Sequence, residues 1–298
     1  MSTAPERVLV AGCGDLGTEV GLQLAARGHE VFGLRRSPDV LPAPIVGVAG
    51  DLEADDGLDA VPDDLDVVIH AAAAGGRGVE GYRRVYRDGL ARLLDRVQRH
   101  GRPPRRVVFV SATSVYGVAD GSDVDEDTPT EPTRDTGQVL VEAERLLAAA
   151  PLPTTSVRLA GIYGPGRTRL IDTVRDGSAR LPTGDHPTNR IHRDDAARAI
   201  VHLLHDVADP APVYVGVDHE TAQLAEVLTF LADELGVAHP PPAEATPTGA
   251  PGDRGGDGRS GAKRCRNHRL RATGFTFTYP SYREGYRAVL AGEGVRHP

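Results

Sequence analysis

Short apolar runs alternate along this chain with longer segments in which apolar residues recur every three or four positions. The first run, R-V-L-V-A at residues 7–11, is followed by a glycine and then by apolar residues at helical spacing as far as Gly28. Such uninterrupted runs are typical of strands that are buried on both faces of a parallel sheet. The pattern predicts strands at 7–11, 30–34, 45–49, 66–70, 106–111, 155–159 and 213–217, and helices within 16–28 and 85–97 and at 139–150, 196–205, 221–235 and 282–290.

Strands that alternate with helices predict an α/β protein built on a doubly wound parallel sheet of the Rossmann type. Ligands bind such a sheet at the carboxyl ends of its strands. The alternation is regular to about residue 160 and looser beyond it. We therefore expect a Rossmann-type domain at 1–160 and a smaller C-terminal cap at 161–298, with some cap strands and helices returning to the first domain. The Pro- and Gly-rich stretch 239–262 predicts an irregular loop.

The composition narrows the class of protein. The 298 residues are 40% hydrophobic and 26% charged, with a net charge of −8, so we expect a globular protein without nucleic-acid or membrane partners. Residues 1–6 do not resemble a signal peptide, and no run approaches the roughly 18 apolar residues of a membrane span, so the cytoplasm is the expected location. The two cysteines, Cys13 and Cys265, lack metal-ligand spacing, so we expect no metal.

A glycine-rich motif, G-C-G-D-L-G at 12–17, stands between the first strand and the first helix. Glycine allows a tight turn, close approach to a pyrophosphate and close packing of helix on strand, while the start of the helix offers free N–H groups. Because this motif opens a βαβ unit, we interpret it as a dinucleotide site rather than a structural turn. Its predicted contacts are Gly12, Gly14, Asp15, Leu16 and Gly17. We expect Cys13 to be a small loop residue and not a redox thiol.

The second strand is followed by Arg35, Arg36 and Ser37, where an NAD site would normally carry an acidic residue. Guanidinium groups suit the 2′-phosphate of NADP, so the sequence predicts NADP over NAD, with solvated surface arginines as the alternative. We expect further cofactor contacts after the third and fourth strands. These are Asp51 and Leu52 beside the adenine, and the small side chains of Ala71, Ala72 and Ala73.

Together these residues resemble the extended short-chain dehydrogenase/reductase family, within its NAD-dependent epimerase/dehydratase group. Further matches are G-D-L at 50–52, D-V-V-I-H-A-A-A at 66–73, V-F-V-S-A-T-S-V-Y-G at 108–117 and R-L-A-G-I-Y-G-P-G at 158–166. The resemblance covers nearly the whole chain. Extended members usually carry G-x-x-G-x-x-G, whereas this chain has Ala11 at the first position, which is closer to an atypical branch.

The resemblance implies a catalytic set that this chain lacks. Family members use a Ser or Thr, a Tyr-x-x-x-Lys pair and a helix asparagine, and the lysine lowers the pKa of the tyrosine. Here those positions fall on Ala112, Thr136, Leu140 and Tyr86. A shift in register does not change this conclusion, because the sequence has no lysine before Lys263.

Several other side chains are candidates for catalysis. Ser111 ends the fifth strand, and Thr113 and Ser114 follow it. The alternative for Ser111 and Thr113 is a loop hydroxyl that bonds the backbone. The other candidates are Tyr116, Tyr163 and His192, for which structural packing or ordering of the cap segment is the alternative. We expect Asp194 and Asp195 to cap the next helix. Arg158 and Arg190 could meet an anionic substrate or form salt bridges within the cap, and Lys263 could be an ordinary exposed lysine or an anion contact.

Three functions are compatible with these residues. The first is an NADP-dependent oxidoreductase or epimerase-like enzyme that acts on a small polar substrate with a non-standard catalytic set. The second is a catalytically silent NADP-binding sensor, and the third is a non-redox isomerase or lyase. Ala- and Leu-rich helix faces would permit a homodimer.

Overall fold

The computed structural model describes residues 4–54, 57–75, 78–99, 101–243 and 262–298. In chain order the strands are β1 (Arg7–Ala11), β2 (Glu30–Arg35), β3 (Val46–Ala49), β4 (Val67–His70), β5 (Arg106–Ala112), β6 (Asp120–Val124), β7 (Thr154–Leu159), β8 (Gly161–Tyr163), β9 (Pro187–Thr188), β10 (Arg190–His192), β11 (Val213–Gly216), β12 (Ala222–Gln223) and β13 (Ala262–Cys265). The helices are α1 (Asp15–Ala26), α2 (Gly78–Tyr82), α3 (Gly89–Arg99), α4 (Asp135–Ala148), α5 (Arg169–Arg175), α6 (Arg193–His205), α7 (Leu224–Leu235), α8 (His268–Ala272) and α9 (Tyr282–Leu290). A π-helical segment, Arg83–Asp88, joins α2 to α3.

Seven parallel strands form the central sheet in the order β3-β2-β1-β4-β5-β7-β11. The prediction of a doubly wound parallel sheet is therefore confirmed. The strand order reverses direction between β1 and β4, and a crevice opens at such a switch point beyond the carboxyl ends of the two strands.

Helices cover both faces of this sheet, because the apolar strands expose side chains to either side. On one face, α3 and α4 pack over residues such as Leu9 and Phe109. On the other face, α1 and α6 pack over residues such as Val10 and Ile69. Every residue of β4 is buried, as its continuous apolar run predicts. A third apolar cluster joins α5, α7 and α9, beside the sheet.

The second half of the chain departs from the sequence prediction in its short elements. The predicted strand at 213–217 joins the main sheet as β11. Three two-stranded sheets, β8 with β10, β9 with β12 and β6 with β13, have no counterpart in the prediction. Their strands are only two to five residues long, which is too short for a periodic pattern.

The predicted loop at 239–262 lies mostly outside the described residues, which resume at β13. Its described part includes a bridge between Leu181 and Pro242. Over the described ranges of the chain, no helix has the length and apolar character needed to cross a membrane.

Candidate functional site

A cavity of about 510 Å³ opens at the carboxyl ends of the central strands, at the switch point between β1 and β4. Nearly all of the residues predicted to hold the cofactor line it. They are Gly12, Gly14, Asp15, Leu16, Arg35, Arg36, Ser37, Asp51, Leu52, Ala71, Ala72 and Ala73. Their chemical roles stay predictions, but the fold brings them to one surface as the sequence pattern required.

The three glycines of the loop meet different constraints. Gly12 has φ +84°, and a Cβ there would lie 2.3 Å from the Cα of Ala72. A Cβ at Gly17 would lie 2.8 Å from the carbonyl oxygen of Gly12, so this glycine serves the packing of helix on loop. Gly14 has no protein atom within 4 Å of its Cβ position and lines the cavity. The open space beside Gly14 lies where the motif predicts the pyrophosphate.

Helix α1 begins directly at this loop. Its N-cap residue is Gly14, which offers no side-chain hydrogen bond to the first turn. Uncapped N–H groups and the positive end of the helix dipole favour an anion at this position. The loop and helix therefore fit a dinucleotide pyrophosphate.

Asp15, in the first turn of α1, is neutralised by two arginines. Its carboxylate accepts hydrogen bonds from Arg167 Nε at 2.8 Å and from Arg193 Nη1 at 2.9 Å. Arg193 is buried, whereas Arg167 lines the cavity. The sequence did not identify Arg167, which comes from a loop more than 150 residues away from the glycine motif.

Arg35, the predicted ligand of the 2′-phosphate, lines the cavity at the end of β2. Its Nη1 donates to the carbonyl oxygens of Cys13 at 3.2 Å and Pro298 at 3.1 Å. Within the described part of the chain it bonds no acidic side chain. Cys13 itself is buried, and burial raises the pKa of its thiol, which agrees with a structural loop residue.

The end of the cavity near β5 is bordered by a buried hydrogen-bonded chain. Ser111, which lines the cavity, donates to Glu144 Oε1 at 2.6 Å. Arg158 Nη2 donates to Glu144 Oε2 at 2.7 Å, and its Nη1 donates to the phenol of Tyr116 at 2.8 Å. Arg158 thus forms an ion pair with a helix of the Rossmann half and not within the cap.

Three of the four residues that the sequence predicts at the family's catalytic positions also line this end, and Thr136 does not. Ala112 and Leu140 contribute apolar surface, and Tyr86 contributes a phenol. Tyr82 lies one turn earlier on the same helical stretch, with the two ring centroids 5.0 Å apart. Burial raises the pKa of Tyr86 to about 12, so its hydroxyl stays protonated at neutral pH. The sequence could have pointed to Tyr86, because the resemblance predicts it at the position of the family's asparagine.

The other predicted catalytic residues do not line the cavity. Thr113 and Tyr116 are buried beside it, and Ser114 lies on the same short turn. Tyr163 packs in the third apolar cluster, where its hydroxyl donates to the carbonyl oxygen of Ser281 at 3.2 Å. Burial raises the pKa of both Tyr116 and Tyr163 above the ordinary value of a phenol.

His192 caps helix α6, so the prediction that Asp194 and Asp195 provide the cap is wrong. His192 Nδ1 accepts a hydrogen bond from the backbone N–H of Asp194 at 3.2 Å. Asp195 is buried and instead accepts hydrogen bonds from the backbone N–H groups of Thr278 and Tyr279. Burial also lowers the pKa of His192, which therefore stays neutral and serves the order of this segment.

Lys263 is not the exposed lysine that we considered from sequence. It is 1% exposed, and its Nζ donates to the carbonyl oxygen of Tyr116 at 3.1 Å. Burial lowers its pKa. Lys263 does not line the cavity and anchors β13 behind the β5 end.

Three potential metal ligands meet at the other end of the sheet from the cavity, beside the amino ends of β1 and β2. Glu6, His29 and His205 offer ligand atoms that lie within 4.8 Å of one another. Arg105 donates to both carboxylate oxygens of Glu6, at 2.5 and 2.8 Å. Burial lowers the pKa of His205, and the positive charge of Arg105 acts in the same direction. The guanidinium already supplies the positive charge that a metal ion would bring, so this cluster is explained as an ion pair.

The fold and the cavity together define a doubly wound dinucleotide-binding protein. A model of the NAD-dependent epimerase/dehydratase family matches residues 8–216. The chain belongs to this family, whose members bind NAD or NADP.

Relatives and solved structures agree with this assignment. The chain is 36% identical over 214 residues to the protein YeeZ of Escherichia coli K12, covering 67% of this chain and 73% of that one. A structure from Methylobacillus flagellatus, assigned to the NAD-dependent epimerase/dehydratases, is 36% identical with a TM-score of 0.80, covering 97% and 99%. The protein MoeE5, solved with UDP-glucose and NAD, is 26% identical with a TM-score of 0.76, covering 96% and 97%.

Proposed function

We propose that this protein is an NADP-dependent oxidoreductase or epimerase-like enzyme that acts on a small polar substrate with a non-standard catalytic set. The observation that carries the proposal is the continuity of one cavity from Arg35 and Arg36 at the end of β2 to Ser111 on β5. A dinucleotide that spans this cavity would place its adenosine at the arginines and its nicotinamide at the β5 end.

The preference for NADP rests on charge. Arg35 bonds backbone oxygens and no acidic side chain among the described residues, and a guanidinium pairs well with phosphate oxygens. The open space at Gly14 and the uncapped start of α1 fit the pyrophosphate. Arg167 adds a second cation at the rim, held in place by Asp15.

When bound, the dinucleotide supplies or accepts a hydride, and the protein supplies orientation and proton transfer. In the proposed site the phenols of Tyr82 and Tyr86 are the groups that would donate a proton to a substrate oxygen. The hydroxyl of Ser111 would hold that oxygen after turning away from Glu144. Ala112 and Leu140 exclude water from this end.

The proposal is tested by titrating the purified protein with NADPH and NADH, by fluorescence or calorimetry. Arg35→Ala should raise the Kd for NADPH about 10- to 100-fold, because a charge-assisted phosphate contact is lost, and should change the Kd for NADH by less than about twofold. The matched control is Arg99→Ala, which removes an exposed helix arginine paired with Asp95. Failure of the native protein to bind either nucleotide would overturn the proposal.

A catalytically silent NADP-binding protein is the second candidate, and one observation favours it. The hydroxyl of Ser111 is already engaged by Glu144, and the neighbouring wall at Val110, Ala112 and Leu140 is apolar. Tight NADPH binding without oxidation of NADPH by any of a panel of carbonyl substrates would support this second candidate. The third sequence-based hypothesis, an isomerase or lyase, gains no support, since Thr113, Ser114 and His192 do not line the cavity.

A further inference from the structure

Residues 295–298, here called the tail segment, lie across the cofactor loop. The segment follows α9 and two glycines with positive φ, Gly292 and Gly294. Arg193 Nη2 donates to the carbonyl oxygen of Val295 at 2.8 Å. Arg296 Nη1 donates to the carbonyl oxygen of Gly166 at 2.9 Å. These two contacts fix the start of the tail segment against the loops that follow β8 and β10.

The rest of the tail segment contacts helix α1 and β2. The backbone N–H of His297 donates to Asp15 Oδ1 at 3.2 Å, and its Nε2 lies 2.8 Å from Glu19 Oε2. Arg35 Nη1 then donates to the carbonyl oxygen of Pro298 at 3.1 Å. The tail segment therefore runs from the cap side of the glycine loop to the arginine that the proposed function assigns to the 2′-phosphate.

The contact between Arg35 and Pro298 would compete with a cofactor phosphate for the same guanidinium. The Nη1 atom that bonds the backbone oxygen of Pro298 also bonds the Cys13 carbonyl oxygen. A 2′-phosphate that bonded the same nitrogen would compete with the Pro298 oxygen. An NAD molecule has no 2′-phosphate and would leave this contact in place.

We propose that the tail segment is a specificity-determining element that weakens binding of the phosphorylated cofactor by holding Arg35 through the Pro298 carbonyl. The inference rests on the proposed function. The inference extends the proposed function, because the relative affinity for NADP and NAD then depends on a competing contact within the chain as well as on Arg35. The affinity for NADP is then set by two opposing interactions of a single side chain.

The test compares NADPH and NADH affinities of the native protein with those of a chain that lacks residues 297–298, which keeps the Arg193–Val295 contact. Deletion should tighten NADPH binding about three- to tenfold, the range expected for removing one competing hydrogen bond, and should change NADH binding by less than about twofold. His297→Ala, which removes the contact with Glu19 but keeps the chain length, should shift NADPH binding in the same direction by a smaller factor.

Arg35→Ala supplies the control, because it removes the group for which tail segment and phosphate compete. In that background the deletion should leave NADPH affinity unchanged. Equal weakening of NADPH and NADH binding by the deletion would overturn the inference, since the tail segment would then be part of the general nucleotide site. An unchanged NADPH affinity in both tail variants would also overturn it, while the proposed function would stand. Failure of the native chain to bind either nucleotide would overturn both.

Discussion

The two ends of the cavity differ in whether their polar groups are already bonded. At the end near β1 and β2, the start of α1 has no side-chain cap, Gly14 faces open space, and Arg35 bonds only carbonyl oxygens among the described residues. At the β5 end, the hydroxyl of Ser111 donates to Glu144, and the same carboxylate is held by Arg158. One end offers donors to a ligand, whereas the other directs its strongest polar groups into the protein.

This difference means that one end of the cavity is prepared to bind a cofactor, whereas the other is not yet arranged to act on a substrate. A helix terminus without a side-chain cap and an arginine without an acidic side-chain partner are suited to phosphates. A serine whose proton is committed to a buried carboxylate must first reorient before it can hold a substrate. The arrangement therefore predicts that changes at the two ends have separable effects on cofactor affinity and on stability.

The largest expected effect comes from breaking the buried ion pair at the β5 end. Glu144→Ala leaves the guanidinium of Arg158 buried without its carboxylate, and should lower the free energy of unfolding by about 3–5 kcal/mol. Urea denaturation measures this loss. The matched control is Glu142→Ala on the same helix, which removes an exposed partner of Arg83 and should cost less than about 1 kcal/mol. Equal losses in the two variants would contradict the importance of the buried pair.

A substitution in the glycine loop is expected to reduce the free energy of unfolding by less than Glu144→Ala does, and to weaken NADPH binding as well. Gly12→Ala places a Cβ 2.3 Å from the Ala72 backbone at positive φ, and should cost on the order of 2–4 kcal/mol and weaken NADPH binding at least about tenfold. Gly28→Ala is the control: φ is +90°, but no atom lies within 4 Å, so strain of about 1 kcal/mol remains without a clash or a loss of affinity. If both variants bound NADPH like the native protein, the loop would not hold the cofactor.

Much of the fold could be predicted because its main sheet consists of continuous apolar runs. Such runs, as in β1 and β4, must be buried on both faces, and the glycine that follows β1 fixes the turn into α1. The cap was harder to predict, since pairs such as β9 with β12 extend over only two residues and depend on contacts between distant segments.

The candidate site shows the same limit. Residues of the cofactor loop are contiguous in sequence, so their cavity could be expected, whereas Arg167 and Tyr82 reach it from separate segments. The sequence also could not show that Lys263 is buried against the backbone of Tyr116, because its own segment carries no strong apolar pattern. Contacts between remote segments decide these positions, and a single sequence does not encode them as a local signal.

The smallest effect in this series is a pH dependence of the free energy of unfolding. It arises from a buried histidine at the end of β4, the strand that lies between the two ends of the cavity. His70 ends β4, directly before the alanines that line the cavity, and burial lowers its pKa to about 4. Unfolding returns the imidazole to a pKa near 6.5, so between pH 6.5 and 4 the unfolded state binds more protons and stability falls as the pH falls.

Between pH 7.5 and 5 this group should lower the free energy of unfolding by about 1–2 kcal/mol. His70→Leu loses the hydrogen bond to the Val85 carbonyl oxygen and should be less stable than the native protein at pH 7.5, and this deficit should shrink by about 1–2 kcal/mol as the pH falls to 5. Burial lowers the pKa of His205 to about 4 and raises the pKa of Asp218 to about 8, so these two groups contribute slopes of opposite sign to both proteins. Urea titrations at the two pH values measure both slopes, and equal slopes in the native protein and His70→Leu would contradict a contribution from His70.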